Sequence, residues 1–195
     1  MIHSLRISPR LFALVPAAVA INLVVGAIVR ELSLPVFLDT TGTVLVAAVA
    51  GFPAGALVGT LSQLLMGLLT GYQYLPFVAI QWLLAGLVTL MVAQRGFASL
   101  VRTVAWGIFT GACCGAASAL ISYQLFRGST GGGVAWVTAA VRATGLPLPI
   151  AVAIGSGATD LVDKSIVIVG VGILMRALPR RILGRFPLAA RATAQ

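Results

Sequence analysis

The sequence predicts an all-α integral membrane protein of six transmembrane helices, on three observations. Mean hydropathy is +1.07. Hydrophobic residues make up 59% of the chain and charged residues only 9%, where a soluble domain carries about 25%. The 12 arginines gather at the ends of apolar segments, the pattern that orients membrane chains. At about 20 apolar residues per span, a chain of 195 residues holds about five to seven helices and little else. We read it as one membrane domain over residues 1–195 with a basic tail from about 180. The 22 glycines suit close helix packing in lipid.

Six spans are expected, in order. The first covers roughly Leu11–Val29 and stops at Arg30-Glu31-Leu-Ser-Leu-Pro35. The segment before it, Met1 to Arg10, has the charge of a signal n-region. The apolar run that follows is long enough to span, and no small-x-small cleavage site leads to a polar chain, so it reads as a retained helix. Span two is short, roughly Asp39–Ala50. Gly51-Phe-Pro-Ala-Gly55 is expected to be a tight turn from its Gly/Pro content. Span three is roughly Ala56–Leu69, followed by a polar aromatic loop, Thr70-Gly-Tyr-Gln-Tyr-Leu-Pro76. Span four is roughly Phe77–Val92, and Gln94 to Arg102 is the most polar internal connection. Span five is roughly Val104–Leu125. Residues 127–149 open with a glycine-rich piece and contain a semi-apolar stretch suited to a short interfacial helix. Span six is roughly Ile154–Leu178 and stops at Pro179, ahead of the basic tail.

An even number of spans keeps both ends on one side. With the N-terminus cytoplasmic, Arg6, Arg10, Arg95, Arg102, Arg176, Arg180, Arg181, Arg185 and Arg191 lie inside. Arg30, Arg127 and Arg142 lie outside, and Lys164 lies within the membrane. Both termini are therefore expected in the cytoplasm. The net charge of +9 does not point to nucleic acid, because the arginines form no single basic face.

Small residues four apart mark helix seams. Gly51, Gly55 and Gly59 form one row, Gly107, Gly111, Gly115 and Ala119 another, and Ala13 and Ala17 a short one on span one. The glycine rows are expected to pack internally. The alanines fit either internal packing or a partner.

Several chemistries are missing their parts. The one histidine is His3, so Gly155-Ser-Gly157 has no base to activate its serine. The only lysine stands in Asp163-Lys164-Ser165, which lacks the glycine and loop of a nucleotide-binding P-loop. Cys113 and Cys114 are adjacent in an apolar run, read as small packing residues with no metal-ligand spacing around them. No catalytic residues, no metal site and no cofactor are expected. The chain is not expected to be an enzyme.

Two of the four acidic residues stand beside that lysine, in the apolar run from Gly157 to Val169. A charge at the bilayer centre costs about 2.5–3.5 kcal/mol on insertion scales, so Asp160, Asp163 and Lys164 need partners or a polar cavity. Asp160 and Lys164 are four apart and share a helix face, while Asp163 points elsewhere. Lys164 lies about 15 residues before Pro179, roughly 22 Å from the cytoplasmic end. The group serves either to neutralise itself or to face a ligand. Two acids against one base leave a charge seeking a further partner. Asp39 is read as the N-cap of span two or as a binding residue. Tyr74, Gln81 and Trp82 fall at the same outer level and complete a candidate substrate-binding set. Asn22 and Gln63, nearer mid-membrane, are read as interhelical hydrogen-bonding groups.

Phe37-Leu-Asp-Thr-Thr-Gly-Thr43 with Gly51-Phe-Pro-Ala-Gly-Ala-Leu-Val-Gly59, and Asp160-Leu-Val-Asp-Lys-Ser165 running to Leu178-Pro-Arg-Arg181, resemble segments of S components. These are the substrate-binding membrane subunits of energy-coupling factor (ECF) transporters. The resemblance implies a six-helix subunit in a bacterial or archaeal cytoplasmic membrane that binds a vitamin or related micronutrient at the outer side. It implies toppling in the lipid against a transmembrane coupling subunit driven by two ATPase subunits. It maps the family's interface on helix one to Ala13 and Ala17. Met1-Ile-His3-Ser does not match the histidine motif of metal-transporting relatives. A stand-alone secondary transporter or channel is the alternative.

Overall fold

The computed structural model describes residues 9–177 apart from 129 and 131, together with 179, 186 and 188. His3, Arg6 and the arginines of the expected basic tail, Arg180, Arg181, Arg185 and Arg191, lie outside the described residues. Seven α-helices follow in order: α1 (Pro9–Glu31), α2 (Thr41–Ala50), α3 (Phe52–Thr70), α4 (Val78–Ala93), α5 (Leu100–Phe126), α6 (Gly132–Ala143) and α7 (Leu148–Ala177). A 3₁₀ helix, Tyr72–Phe77, joins α3 to α4 where a loop was expected. The described residues form no strand.

Among the described residues, four segments are long and apolar enough to cross a membrane: Ala13–Glu31, Phe52–Thr70, Tyr74–Ala93 and Leu100–Phe126. The chain is thus built as a multi-pass membrane protein. Its outer surface agrees, since Val24, Ile28, Leu61, Leu68, Ile108, Phe109 and Ile173 are exposed. Side chains of this size on the outside match hydrocarbon better than water. The other two expected spans differ from that simple type for physical reasons. α2 has 10 residues, about 15 Å of helix. α7 has 30 residues but carries Asp160, Asp163 and Lys164 in its middle.

α2 sits at the centre. Seven of its residues, Gly42 to Val44 and Val46 to Val49, are buried, and it packs against α1, α3, α4 and α7. Gly42 lies so close to α1 that a β-carbon there would strike the Ala18 carbonyl. The expected turn over 51–55 contracts to one residue. Gly51 has φ +86°, a conformation that glycine adopts without steric cost, and Pro53 already lies in the first turn of α3, where its missing N–H is not needed.

The glycine rows meet helices of this same chain. A β-carbon on Gly55 would come within 3.0 Å of the Ala47 backbone in α2. On α5, β-carbons at Gly107, Gly111 and Gly115 would reach the α-carbons of Ser165, Leu161 and Gly157 at 3.0, 2.7 and 2.9 Å. α5 and α7 therefore touch backbone to backbone over two turns. This brings the charged stretch of α7 into the bundle and turns Leu161, Val162 and Ile166 outward. Cys114 is buried in the core at this seam, and both cysteines are free.

Candidate functional site

The site is built from the α7 charges outward. Asp160 and Lys164 are 2% exposed and Asp163 is fully buried. Lys164 Nζ donates to Asp163 Oδ2 and lies 3.3 Å from Asp160 Oδ1. The ammonium thus bridges both carboxylates. The other oxygen of Asp163 accepts two successive main-chain N–H groups, from Phe37 at 3.0 Å and from Leu38 at 2.6 Å. Leu38 has φ +51°, a left-handed conformation that costs a residue with a β-carbon about 1–2 kcal/mol. It turns the two amides toward one point, a backbone nest of the kind that binds anions. Asp163 is thereby saturated. Asp160 is not, because its Oδ2 is buried without a hydrogen-bond partner.

Asp160 and Lys164 border a cleft of about 540 Å³, open-mouth space included. The segment before α2 contributes Phe37, Asp39 and Thr40. α3 contributes Gln63. The 3₁₀ helix and α4 contribute Tyr74, Phe77, Ile80 and Gln81. α5 contributes Ser118 and Ser122, and α7 adds Ser156. Thr130, ahead of α6, and Val134, in its first turn, complete the wall. Phe77 stacks on Phe126 with ring centroids 5.8 Å apart, closing one side. The cleft lies toward the end of the bundle where α1 and α3 finish and α4 and α7 begin. A second cleft of about 420 Å³ adjoins it, sharing Phe37, Asp39, Tyr74 and Thr130 and reaching Arg30.

Five buried side-chain polar atoms have no partner among the described residues: Thr40 Oγ1, Gln63 Oε1, Thr110 Oγ1, Asp160 Oδ2 and Ser165 Oγ. Three of them, on Thr40, Gln63 and Asp160, belong to residues of the one cleft. Buried polar groups are nearly always hydrogen-bonded, so this convergence marks a place that something else completes.

Beneath the cleft lies a saturated network. Asn22 Nδ2 donates to Thr43 Oγ1 and to Ser62 Oγ, both at 3.0 Å. Asn22 Oδ1 accepts the Gly42 N–H at 2.7 Å. Thr43 Oγ1 in turn donates to Gln81 Oε1 at 2.8 Å, which fixes the Gln81 amide at the cleft wall. Asn22 thus has the interhelical role expected of it, and its effect reaches the site through Thr43.

Of the seven sequence-predicted binding residues, Asp39, Tyr74, Gln81, Asp160 and Lys164 come together around the cleft. Asp163 lies behind Lys164 and holds the backbone of the neighbouring segment. Trp82 is outside the cleft and 50% exposed, with its Nε1 donating to Thr60 Oγ1 at 2.8 Å. Successive helix residues point about 100° apart, so Gln81 facing in sends Trp82 out. The N-cap reading of Asp39 is corrected: Thr40 occupies that position, and no side chain caps the helix. The Asp39 carboxylate instead faces the clefts, 3.5 Å from Gln63 Nε2. Gln63, expected as an interhelical group, is a wall residue. Ser118, Ser122 and Ser156 were not anticipated. Their signal is weak, because single serines on apolar helices bond their own backbone equally well. Ala13 and Ala17 are exposed on α1, on the face away from Ala18, Asn22 and Val29, which are buried.

Comparison with protein-family models, with curated proteins and with solved structures gives no match for this chain.

Proposed function

We propose that this chain is a substrate-binding membrane subunit of an ECF-type importer, taking up a vitamin or related micronutrient. One observation carries the reading: a cleft in a multi-pass helical bundle is walled by buried polar groups that the protein leaves without partners. Aromatic rings with a few amides and charges are the usual lining for a small molecule.

In this reading six helices cross a bacterial or archaeal cytoplasmic membrane with both termini in the cytoplasm. α7 counts as a span because its charges face inward, with Lys164 bridging Asp160 and Asp163, while Leu161, Val162 and Ile166 face lipid. α2 counts because its neighbours shield it. Non-helical backbone at membrane depth, such as residues 37–40, is tolerated where protein buries it. The cleft then opens outward. The exposed Ala13–Ala17 face of α1 is left for the coupling subunit, with two ATPases supplying energy to that partner.

A stand-alone secondary transporter is the competing reading. It draws on the buried Asp160, Asp163 and Lys164, since intramembrane carboxylates also serve as proton relays. Native mass spectrometry of the purified chain tests the binding role. A small molecule is expected on the wild-type protein and missing from Ser122→Trp, which fills the cleft. A wild-type chain carrying no small molecule, and gaining none from a cell extract, contradicts the role.

A further inference from the structure

The charges around the cleft do not balance. Lys164 is committed to Asp163 and Asp160. Asp163 is saturated by that ammonium and two backbone amides. Asp160 keeps an oxygen with no hydrogen bond of normal geometry, the Ser118 side chain being the neutral group beside the carboxylate. Among the described residues Asp39 has one hydrogen bond, the 3.5 Å contact from Gln63 Nε2, and forms no ion pair with Arg30 of the adjoining cleft; Gln63 Oε1 is itself unpartnered. The groups left over are two carboxylates and an amide oxygen, all acceptors when the acids are ionised, with the Thr40 hydroxyl beside them.

A site of this composition is completed by donors. Buried carboxylates gain most from a positive charge that also hydrogen-bonds them. A metal ion is the weaker match: no group of three His, Cys, Asp or Glu among the described residues is placed to hold one, and the Lys164 ammonium stands beside Asp160. The rest of the wall favours an organic body. Phe37, Tyr74 and Phe77 border the cleft, and Lys164 Nζ already lies 5.8 Å from the Phe37 ring centroid. Aromatic faces attract cations as well as flat rings.

We infer that the cleft takes a compact organic cation, a flat nitrogen-bearing molecule whose charged end offers at least two N–H donors to Asp160, Asp39 and Gln63. The inference rests on the binding role proposed above and narrows it to a class of substrate. It excludes an anionic micronutrient, whose carboxylate or phosphate would meet the unpaired acids.

The test uses the full chain purified in a neutral detergent and ligand-observed NMR. Benzamidinium is the cationic probe, benzamide its neutral counterpart and benzoate its anionic one. Benzamidinium is expected to bind at least tenfold more tightly than either of the others. Asp160→Asn and Asp39→Asn are each expected to weaken it at least tenfold, and Ser122→Trp to abolish it. Asp39→Asn keeps the test decisive if Asp160→Asn disturbs folding, because Asp39 makes no contact with Lys164 in the ion group. Benzoate or benzamide binding as tightly as benzamidinium, and lost in Ser122→Trp, overturns the cationic class while leaving a binding cleft. Benzamidinium binding that ignores all three substitutions, or no benzamidinium binding, also overturns it. Failure of the binding role itself reads differently: the wild-type chain then carries no small molecule in native mass spectrometry, whatever the charge of the probe.

Discussion

Asp163 Oδ1 accepts the main-chain N–H of Leu38 at 2.6 Å, tying the middle of α7 to the segment that enters α2 across 125 residues of sequence. The bond separates two acids that look alike in sequence. Asp163 anchors backbone, whereas Asp160 borders the cleft and keeps an oxygen without a hydrogen-bond partner. Asp163→Ala should therefore cost about 3–5 kcal/mol, as expected when one partner of a buried ion pair is removed. Asp160→Ala should cost less than half of that and abolish ligand binding. Adding Lys164→Ala to Asp163→Ala should recover only part of the loss, because the Phe37 and Leu38 amides stay unpaired. Thermal unfolding in detergent decides it. Equal destabilisation by the two single substitutions contradicts the division of roles.

The α5–α7 seam makes a prediction of opposite signs. A β-carbon at Gly115 would come within 2.9 Å of the Gly157 α-carbon, whereas one at Gly157 meets nothing within 4 Å. Gly115→Ala should destabilise by about 1–3 kcal/mol, the usual cost of overpacking. Gly157→Ala should be neutral or stabilise by up to about 1 kcal/mol through helix propensity. The unfolding midpoints of the two variants, compared directly, check the geometry.

Asn22 hydrogen-bonds Thr43, Ser62 and Gly42 and reaches Gln81 of the cleft through Thr43. Asn22→Ala should leave the Gly42 N–H and the Thr43 and Ser62 hydroxyls short of partners, at a cost of about 1–3 kcal/mol. It should also loosen Gln81, so that ligand binding weakens in the protein that still folds. Undiminished binding in folded Asn22→Ala would show that Gln81 is held by other means.

The exposed alanines give a test of assembly. Ala13→Trp or Ala17→Trp should leave stability within about 0.5 kcal/mol, as for exposed sites without special contacts, and leave ligand binding intact. Each should weaken capture of the proposed coupling subunit, because close helix approach in lipid does not accommodate a large side chain. Undiminished capture by both variants would remove helix α1 from the interface.

Much of this arrangement is legible in the sequence. Apolar runs of span length place α1, α3, α4 and α5, and the four-residue spacing of glycines identifies the α5 seam. The same spacing puts Asp160 and Lys164 on one face. What the sequence leaves open depends on rotation between helices. Gln81 and Trp82 are neighbours with similar credentials, and only the packing of α4 on α3 sends one inward. The Asp163 anchor needs a left-handed Leu38, a conformation no sequence rule assigns to leucine. Gln63 and the serines become wall residues only once α3, α5 and α7 are set around α2.

On the proposed function, this chain binds its solute but does not move it unaided. Uptake of the co-purified molecule into membrane vesicles, by the chain alone and together with the proposed coupling subunit and ATPases, is the decisive measurement. Binding by the lone chain is expected without ATP, and uptake only when the ATPases are present and ATP is supplied. Full-rate uptake by the lone chain, driven by an ion gradient, would contradict it.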